Sequence, residues 1–206
     1  MKLLGQQNSI NVRKVLWTCS ELGLSPECEN WGGSTRKTSD PGFLRVNSKG
    51  LVPVLIDDDL VLTESNTICR YLALREGRSD LLPEIPRQRA IVEAWMDWQA
   101  TDLNSAWRYA FMGLVRQHPD FGDRNLQYQS IEEWNAAMCL LDAHLRQSGE
   151  FVCGHSFTLA DIVLALSTNR WKLTPMDRPA LHAVDAWIER LSARPGFGAQ
   201  CENGIP

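Results

Sequence analysis

Four short stretches place polar groups where they could do chemistry. Ser9 and Asn11 offer a hydroxyl and an amide between a first strand and a first helix. A helix start has free N–H groups and a positive dipole end, so an anion is favoured there. Glu64-Ser65 repeats the arrangement further on, a carboxylate beside a serine that reads as the N-cap of another helix. Val52-Pro53 interrupts a strand with a residue that cannot donate to a ladder, which fits either an edge strand or a special peptide geometry. Thr158-Leu159-Ala160-Asp161 has the spacing of a capping box, with Phe157 and Ile162 at the staple positions. That last motif reads as structural. Asp161→Ala should cost about 1 kcal/mol or more of stability and leave the chemistry intact.

Other residue types argue against whole classes of function. The six cysteines are dispersed with no Cys-x-x-Cys, and the four histidines form no His-Glu-x-x-His, so neither a metal site nor a zinc hydrolase is expected. Scattered cysteines of this kind serve as small core residues. The formal net charge is −4, which gives no general attraction to nucleic acid or to an anionic membrane. The N-terminus turns polar within a few residues and no apolar run approaches ~20, so a cytoplasmic protein without a membrane span is expected.

The elements that must position these groups follow from periodicity. Lys2 to Gly5 reads as a strand. Val12, Val15, Leu16, Cys19 and Leu22 mark an amphipathic helix stopped by Gly23. Ser25 to Trp31 suggests a second strand, and a short helix is expected within the turn-rich stretch Gly32 to Asn47. Gly50 to Ile56 and Leu60 to Leu62 form a hairpin across Asp57-Asp58-Asp59, and a helix follows Glu64-Ser65. The order is β-α-β-α-β-β-α over residues 1–78. Residues 79–86, with Pro83 and Pro86, read as a linker. Residues 87–206 show only helical patterns, among them Ile91 to Trp98, Ile131 to Leu145, Leu159 to Leu166 and Leu181 to Leu191. Alternating elements followed by helices alone predict two packing units, a small α/β domain and a helical bundle.

In this order and at these separations, the motifs resemble the glutathione S-transferase superfamily, and most of all its bacterial theta-like, serine-dependent members. The resemblance rests on Leu4-Gly5-Gln6-Gln7-Asn8-Ser9-Ile10-Asn11-Val12-Arg13-Lys14-Val15, on Asn47-Ser48-Lys49-Gly50-Leu51-Val52-Pro53-Val54-Leu55, on Leu62-Thr63-Glu64-Ser65-Asn66-Thr67-Ile68-Cys69-Arg70-Tyr71-Leu72, and on Phe157-Thr158-Leu159-Ala160-Asp161-Ile162. One departure is Ser48, where the family usually has proline.

The resemblance implies a thioredoxin-like α/β N-terminal domain, an all-α C-terminal domain, a homodimer, and glutathione as cosubstrate with no metal. It implies that the bond before Pro53 is cis and that the Val52 backbone pairs with the cysteinyl part of glutathione, as an added strand would. Ser65 and Glu64 would hold the γ-glutamyl carboxylate and ammonium. Lys37 and Lys49, among the loop cations that also include Arg36, would reach the glycyl carboxylate. Ser9, or Asn11 beside it, would donate to the sulfur and lower a thiol pKa of roughly 8.5 toward thiolate. Ser9 as a plain helix cap remains the other reading. Arg13 is a weaker candidate that also fits an ordinary surface charge. Trp107, Arg108, Phe111 and Met112 have the spacing to line a second-substrate pocket for a small electrophile, and Arg108 could attract an anionic or halogen-bearing one. The implied activity is conjugation of glutathione to electrophiles. Glutathione-dependent disulfide reduction is an alternative, weakened by serine rather than cysteine at position 9. A non-catalytic binding module is another, against which the retained site residues argue. A maleylacetoacetate-isomerase-like activity lacks the Ser-Ser-Cys stretch of that group around Ser9.

Overall fold

The computed structural model describes residues 1–33 and 36–206. Its first half follows the expected order. Strand β1 (Lys2–Leu4) leads to helix α1 (Ile10–Leu22), β2 (Glu27–Glu29), α2 (Pro41–Val46), β3 (Val54–Asp57), β4 (Leu60–Thr63) and α3 (Ser65–Arg75). The sheet order is β2-β1-β3-β4, with β1 parallel to β2 and antiparallel to β3, and β3 antiparallel to β4. Leu3 pairs with Leu55 and Leu55 with Leu62, which lays one apolar rung across three strands. Strand β3 starts only at Val54, not at Gly50 as its pattern suggests. Pro53 has no N–H for the ladder, so pairing resumes after it.

The second half is helical: α4 (Pro86–Trp98), α5 (Asn104–Leu114), α6 (Arg124–Ser148), α7 (Leu159–Leu173), α8 (His182–Leu191) and the short α9 (Phe197–Gln200). Pro86, read as linker, opens α4 instead, at a first-turn position where its missing N–H costs nothing. Between α4 and α5 the residues Gln99–Leu103 form a π-helical segment, so the two run on as one interrupted helix. Such segments re-aim the residues that follow and are frequent at functional sites.

Two separate packing units were expected, but one apolar core runs through both halves, from Leu3 and Leu55 through Val15 and Trp17 to Leu164, Trp187 and Leu191. Helix α1 explains the continuity, because it is buried on more than one side. It packs on α3 of the first half and on α7 of the second. Trp17 sits 6.3 Å from the Phe157 ring and 5.7 Å from the Phe197 ring, measured between centroids. Helix α1 carries Ser9 at its start, so this packing fixes the first half's polar site against the second half's wall.

Candidate active site

The site begins at the turn from β1 into α1. A Cβ on Gly5 would lie 2.5 Å from Val12 Cγ2, so only glycine lets the strand turn this closely onto the helix. Ser9 occupies the N-cap position in extended conformation, with its N–H donated to Gln6 O at 3.0 Å. Its hydroxyl makes no capping bond. A serine here ordinarily spends its hydroxyl on the helix's own N–H groups; in this chain it does not.

Asn11 lies in the first turn of α1 and is tied to the second helix start. Ser65 Oγ donates to Asn11 Oδ1 at 3.3 Å. With the carbonyl end so engaged, the Asn11 amide nitrogen is left as a donor without a partner among the described residues. Ser65 was read as the N-cap of α3. It is instead the first helical residue, and Glu64 takes the cap position. Glu64 has φ 68°, a backbone conformation that costs a non-glycine residue about 1–3 kcal/mol and tends to persist where function needs it. Neither Glu64 nor any other side chain caps α3, so the Ser65 N–H is among its open first-turn donors.

The Val52-Pro53 bond is cis. Among the described residues the Val52 N–H and C=O have no hydrogen-bond partner, while the preceding Leu51 carbonyl accepts from Asn47 Nδ2 at 2.8 Å. Lys49 Nζ lies 2.8 Å from Glu64 Oε1, both side chains more than half exposed. Lys37 is exposed and Arg36 is paired with Glu29, away from the cleft wall.

Between the two halves lies a cleft of about 690 Å³. Ser9, Asn11 and Val52 line one side. Trp107, Arg108, Phe111 and Met112, all on α5, line the other. Trp107 and Phe111 meet edge to face at 5.4 Å, and Trp107 Nε1 donates to Asn104 Oδ1 at 3.0 Å, which locks the aromatic wall. Lys37, Lys49, Glu64 and Ser65 are not in this lining; the Ser65–Asn11 bond connects the last of them to it.

Among the lining residues that the sequence pattern did not single out are Gln6, Thr38, Arg116 and Arg170. Gln6 left no signal beyond its place beside Ser9. Its Nε2 donates to Gly32 O at 2.9 Å, closing the floor of the first half. Arg170 lies on α7 and is buried between the aromatic rings, its guanidinium carbon 4.0 Å from the Phe111 centroid and 4.4 Å from that of Trp107.

Arg13 is fully buried, so it is not a surface charge, and it lies outside the cleft lining. Its guanidinium donates to the carbonyls of Gln200, Ile205 and Pro206 and to Asn203 Oδ1, tying the last residues of the chain to α1.

The cysteines supply no nucleophile to the cleft. Burial pushes the Cys19 thiol up to about 12 and Cys69 up to about 11. Among the described residues no group of three or more His, Cys, Asp or Glu could hold a metal ion, and no helix is long and apolar enough to cross a membrane.

This geometry has known counterparts. Residues 1–74 match the family model of the glutathione S-transferase N-terminal domain, and residues 104–195 match that of the C-terminal domain. The chain is 40% identical over 198 residues to glutathione S-transferase GstB of Escherichia coli, covering 94% of this chain and 93% of that one. Glutathione S-transferase 3 of Zea mays is 34% identical over 208 residues, covering 96% and 91%. The crystal structure of the theta class glutathione S-transferase of Xanthomonas axonopodis pv. citri with glutathione bound superposes with a TM-score of 0.91 at 32% identity, covering 100% of this chain and 98% of that one. Two matched domain models in order, relatives similar from end to end and the shared architecture give one answer: the chain belongs to the glutathione S-transferase superfamily.

Proposed function

We propose that this protein conjugates the sulfur of glutathione to small electrophiles, with Ser9 and Asn11 as the groups that stabilise the thiolate. The observation that carries the reading is the Ser9 hydroxyl, which sits at the start of α1, makes no capping bond and faces a cleft walled by Trp107 and Phe111. Two donors on one helix start favour the charged form of a thiol held there. Each unit by which they lower its pKa corresponds to about 1.36 kcal/mol of preference for thiolate.

The remaining parts of glutathione have partners in this reading. The unpaired N–H and C=O of Val52 hold the cysteinyl unit, as an added strand would. The open donors of α3 at Ser65 receive the γ-glutamyl carboxylate. Glu64 and Lys49, paired with each other in the chain, exchange that bond for the ammonium and the glycyl carboxylate of glutathione. Lys37, on the other side of α2 in the chain, is a second cation. With an aryl halide, the C–S bond forms as the carbon–halogen bond breaks, halide leaves, and the thiol proton passes to solvent. The protein contributes position and charge stabilisation, and no protein atom is consumed.

In the same reading the protein acts in the cytoplasm as a homodimer. Residues 1–78 form the glutathione-binding domain, and a linker from residue 79 leads into the helical domain, which opens with α4 at Pro86.

The test is conjugation to a neutral chloronitrobenzene, followed across pH, for wild type, Ser9→Ala and Asn11→Ala. Ser9→Ala should lower kcat/KM by roughly 10- to 100-fold near neutrality and move the rising limb of the pH profile up by about one to two units. A profile that stays in place while the rate falls overturns the thiolate role of Ser9. A shift in Asn11→Ala alone transfers that role to the amide.

A further inference from the structure

The C-terminal wall of the cleft carries positive charge that no acid among the described residues balances. Arg170 is 3% exposed, it lines the cleft, and its Nε has no hydrogen-bond partner. No carboxylate lies within ion-pair distance of Arg170, Arg116 or Arg108 among the described residues, although most of the chain's other arginines are so paired. The charged groups that act on Arg170 are themselves cations, Arg13 and Arg116. Burial, reinforced by those two neighbours, pushes Arg170 down to about 9, so it is still a cation at neutral pH. Among the described residues its compensation is the pair of π faces of Trp107 and Phe111. A second guanidinium, on Arg116, stands 5.4 Å from the Phe111 centroid.

A buried charge is ordinarily paired. Here the partner's place opens onto the cleft rather than onto an acid of the chain. We propose that this wall binds the electrophile through an anionic group: the second substrate carries a carboxylate or a comparable fixed anion, held by Arg170 with Arg116 and Arg108 at the rim. This rests on the transferase reading above and adds the substrate class to it. The aromatic wall and the guanidinium then act on different parts of one small molecule. Trp107, Phe111 and Met112 cover its apolar body, and Arg170 fixes the end remote from the reacting carbon. Planar guanidinium and carboxylate match in two parallel hydrogen bonds, so the contact orients as well as attracts. Desolvation at the cleft floor makes that pair stronger than a surface ion pair.

The experiment compares a chloronitrobenzoate with its carboxamide as electrophile, each rate divided by its uncatalysed counterpart. Wild type should prefer the carboxylate in kcat/KM. Arg170→Gln should lower the carboxylate-over-carboxamide ratio by roughly 30-fold and Arg116→Gln by less. An unchanged ratio in Arg170→Gln overturns the proposal. So does a loss common to both electrophiles with a raised KM for glutathione, since the guanidinium would then be reading glutathione itself. A measurement on the unaltered protein guards against a variant that fails to fold. Unreactive nitrobenzoate should inhibit competitively against the electrophile and nitrobenzamide much less; equal inhibition by both overturns the proposal. Wild type that conjugates the carboxamide without preferring the carboxylate refutes this inference and leaves the transferase reading standing. Wild type that conjugates neither refutes both.

Discussion

The start of α7 and the starts of α1 and α3 put the same local physics to opposite uses. At α7 the capping box closes on itself. The buried Asp161 carboxylate accepts from the N–H of Thr158 at 2.8 Å, from its hydroxyl at 3.1 Å, from the N–H of Val152 at 2.9 Å and from Trp187 Nε1 at 2.9 Å. Burial pushes the Asp161 carboxyl up, against four donors that hold it down. At α1 and α3 no side chain caps the helix, and the residues there line the cleft or bond to one that does. The closed start is a fastening between α7, α8 and the preceding loop. The open starts keep their donors for something that is not part of the chain.

The contrast is broken most severely at its closed end. Asp161→Ala removes one acceptor and strands three N–H donors in the core, at about 1–3 kcal/mol each. The loss should be at least about 3 kcal/mol, well above what a capping box alone contributes. Thermal or denaturant unfolding measures it, and the specific activity of the molecules that remain folded should be close to that of wild type. A loss near 1 kcal/mol would mean that the Val152 and Trp187 bonds contribute little.

The open end should respond in the reverse sense. Ser65→Ala leaves the backbone donors in place and removes the hydroxyl, which on binding would turn from Asn11 to the γ-glutamyl carboxylate. It should raise the KM for glutathione by roughly 10-fold, as expected for one charge-assisted bond of about 1.4 kcal/mol, while the unfolding midpoint moves little because no cap bond is lost. A destabilisation above about 1 kcal/mol without a change in KM would make Ser65 a structural residue like Asp161.

What was legible in the sequence divides along the same line. Ser9, Asn11, Val52-Pro53, Glu64-Ser65 and the Thr158–Asp161 box lie in short segments whose spacing is itself the geometry, and the α5 residues repeat at helical intervals. Arg170 was not legible. With Lys172 it occupies the last turn of α7, where a basic residue ordinarily complements the helix dipole, and only tertiary packing shows that its head lies between Trp107 and Phe111. Arg13 misled for the same reason: periodicity sorts apolar faces and says nothing of a cation whose partners are backbone carbonyls nearly 190 residues away. The π-helical segment left no mark either, because Gln99 to Leu103 continues a helical composition while its hydrogen bonds change.

Lys14 extends the contrast to charge. The buried acid at the closed start is met by four donors; the buried amine beneath the open start of α3 has, among the described residues, only neutral acceptors, Gln99 Oε1 at 2.6 Å and Asn66 Oδ1 at 3.3 Å. Burial pushes it down to about 7, with Cys69, Arg170 and Glu64 as the charged or titratable groups that act on it. In the unfolded chain the same amine titrates near its ordinary value of 10.5. Between those values the unfolded state binds more protons, so this residue's contribution to stability rises with pH; below about pH 7 both states are charged and the contribution is flat. Burial of the cation is thus a penalty at low pH that lifts as the folded amine loses its proton. Comparison with Lys14→Met isolates the effect, because burial keeps the Cys19 and Cys69 thiols of both folded proteins protonated up to about pH 8. The stability of wild type relative to the variant should be constant below about pH 6 and should grow by about 1 kcal/mol from pH 7 to about pH 8. Parallel stability curves across that interval would show that the amine keeps its ordinary affinity for a proton, and that Gln99 and Asn66 hold it as firmly as an acid would.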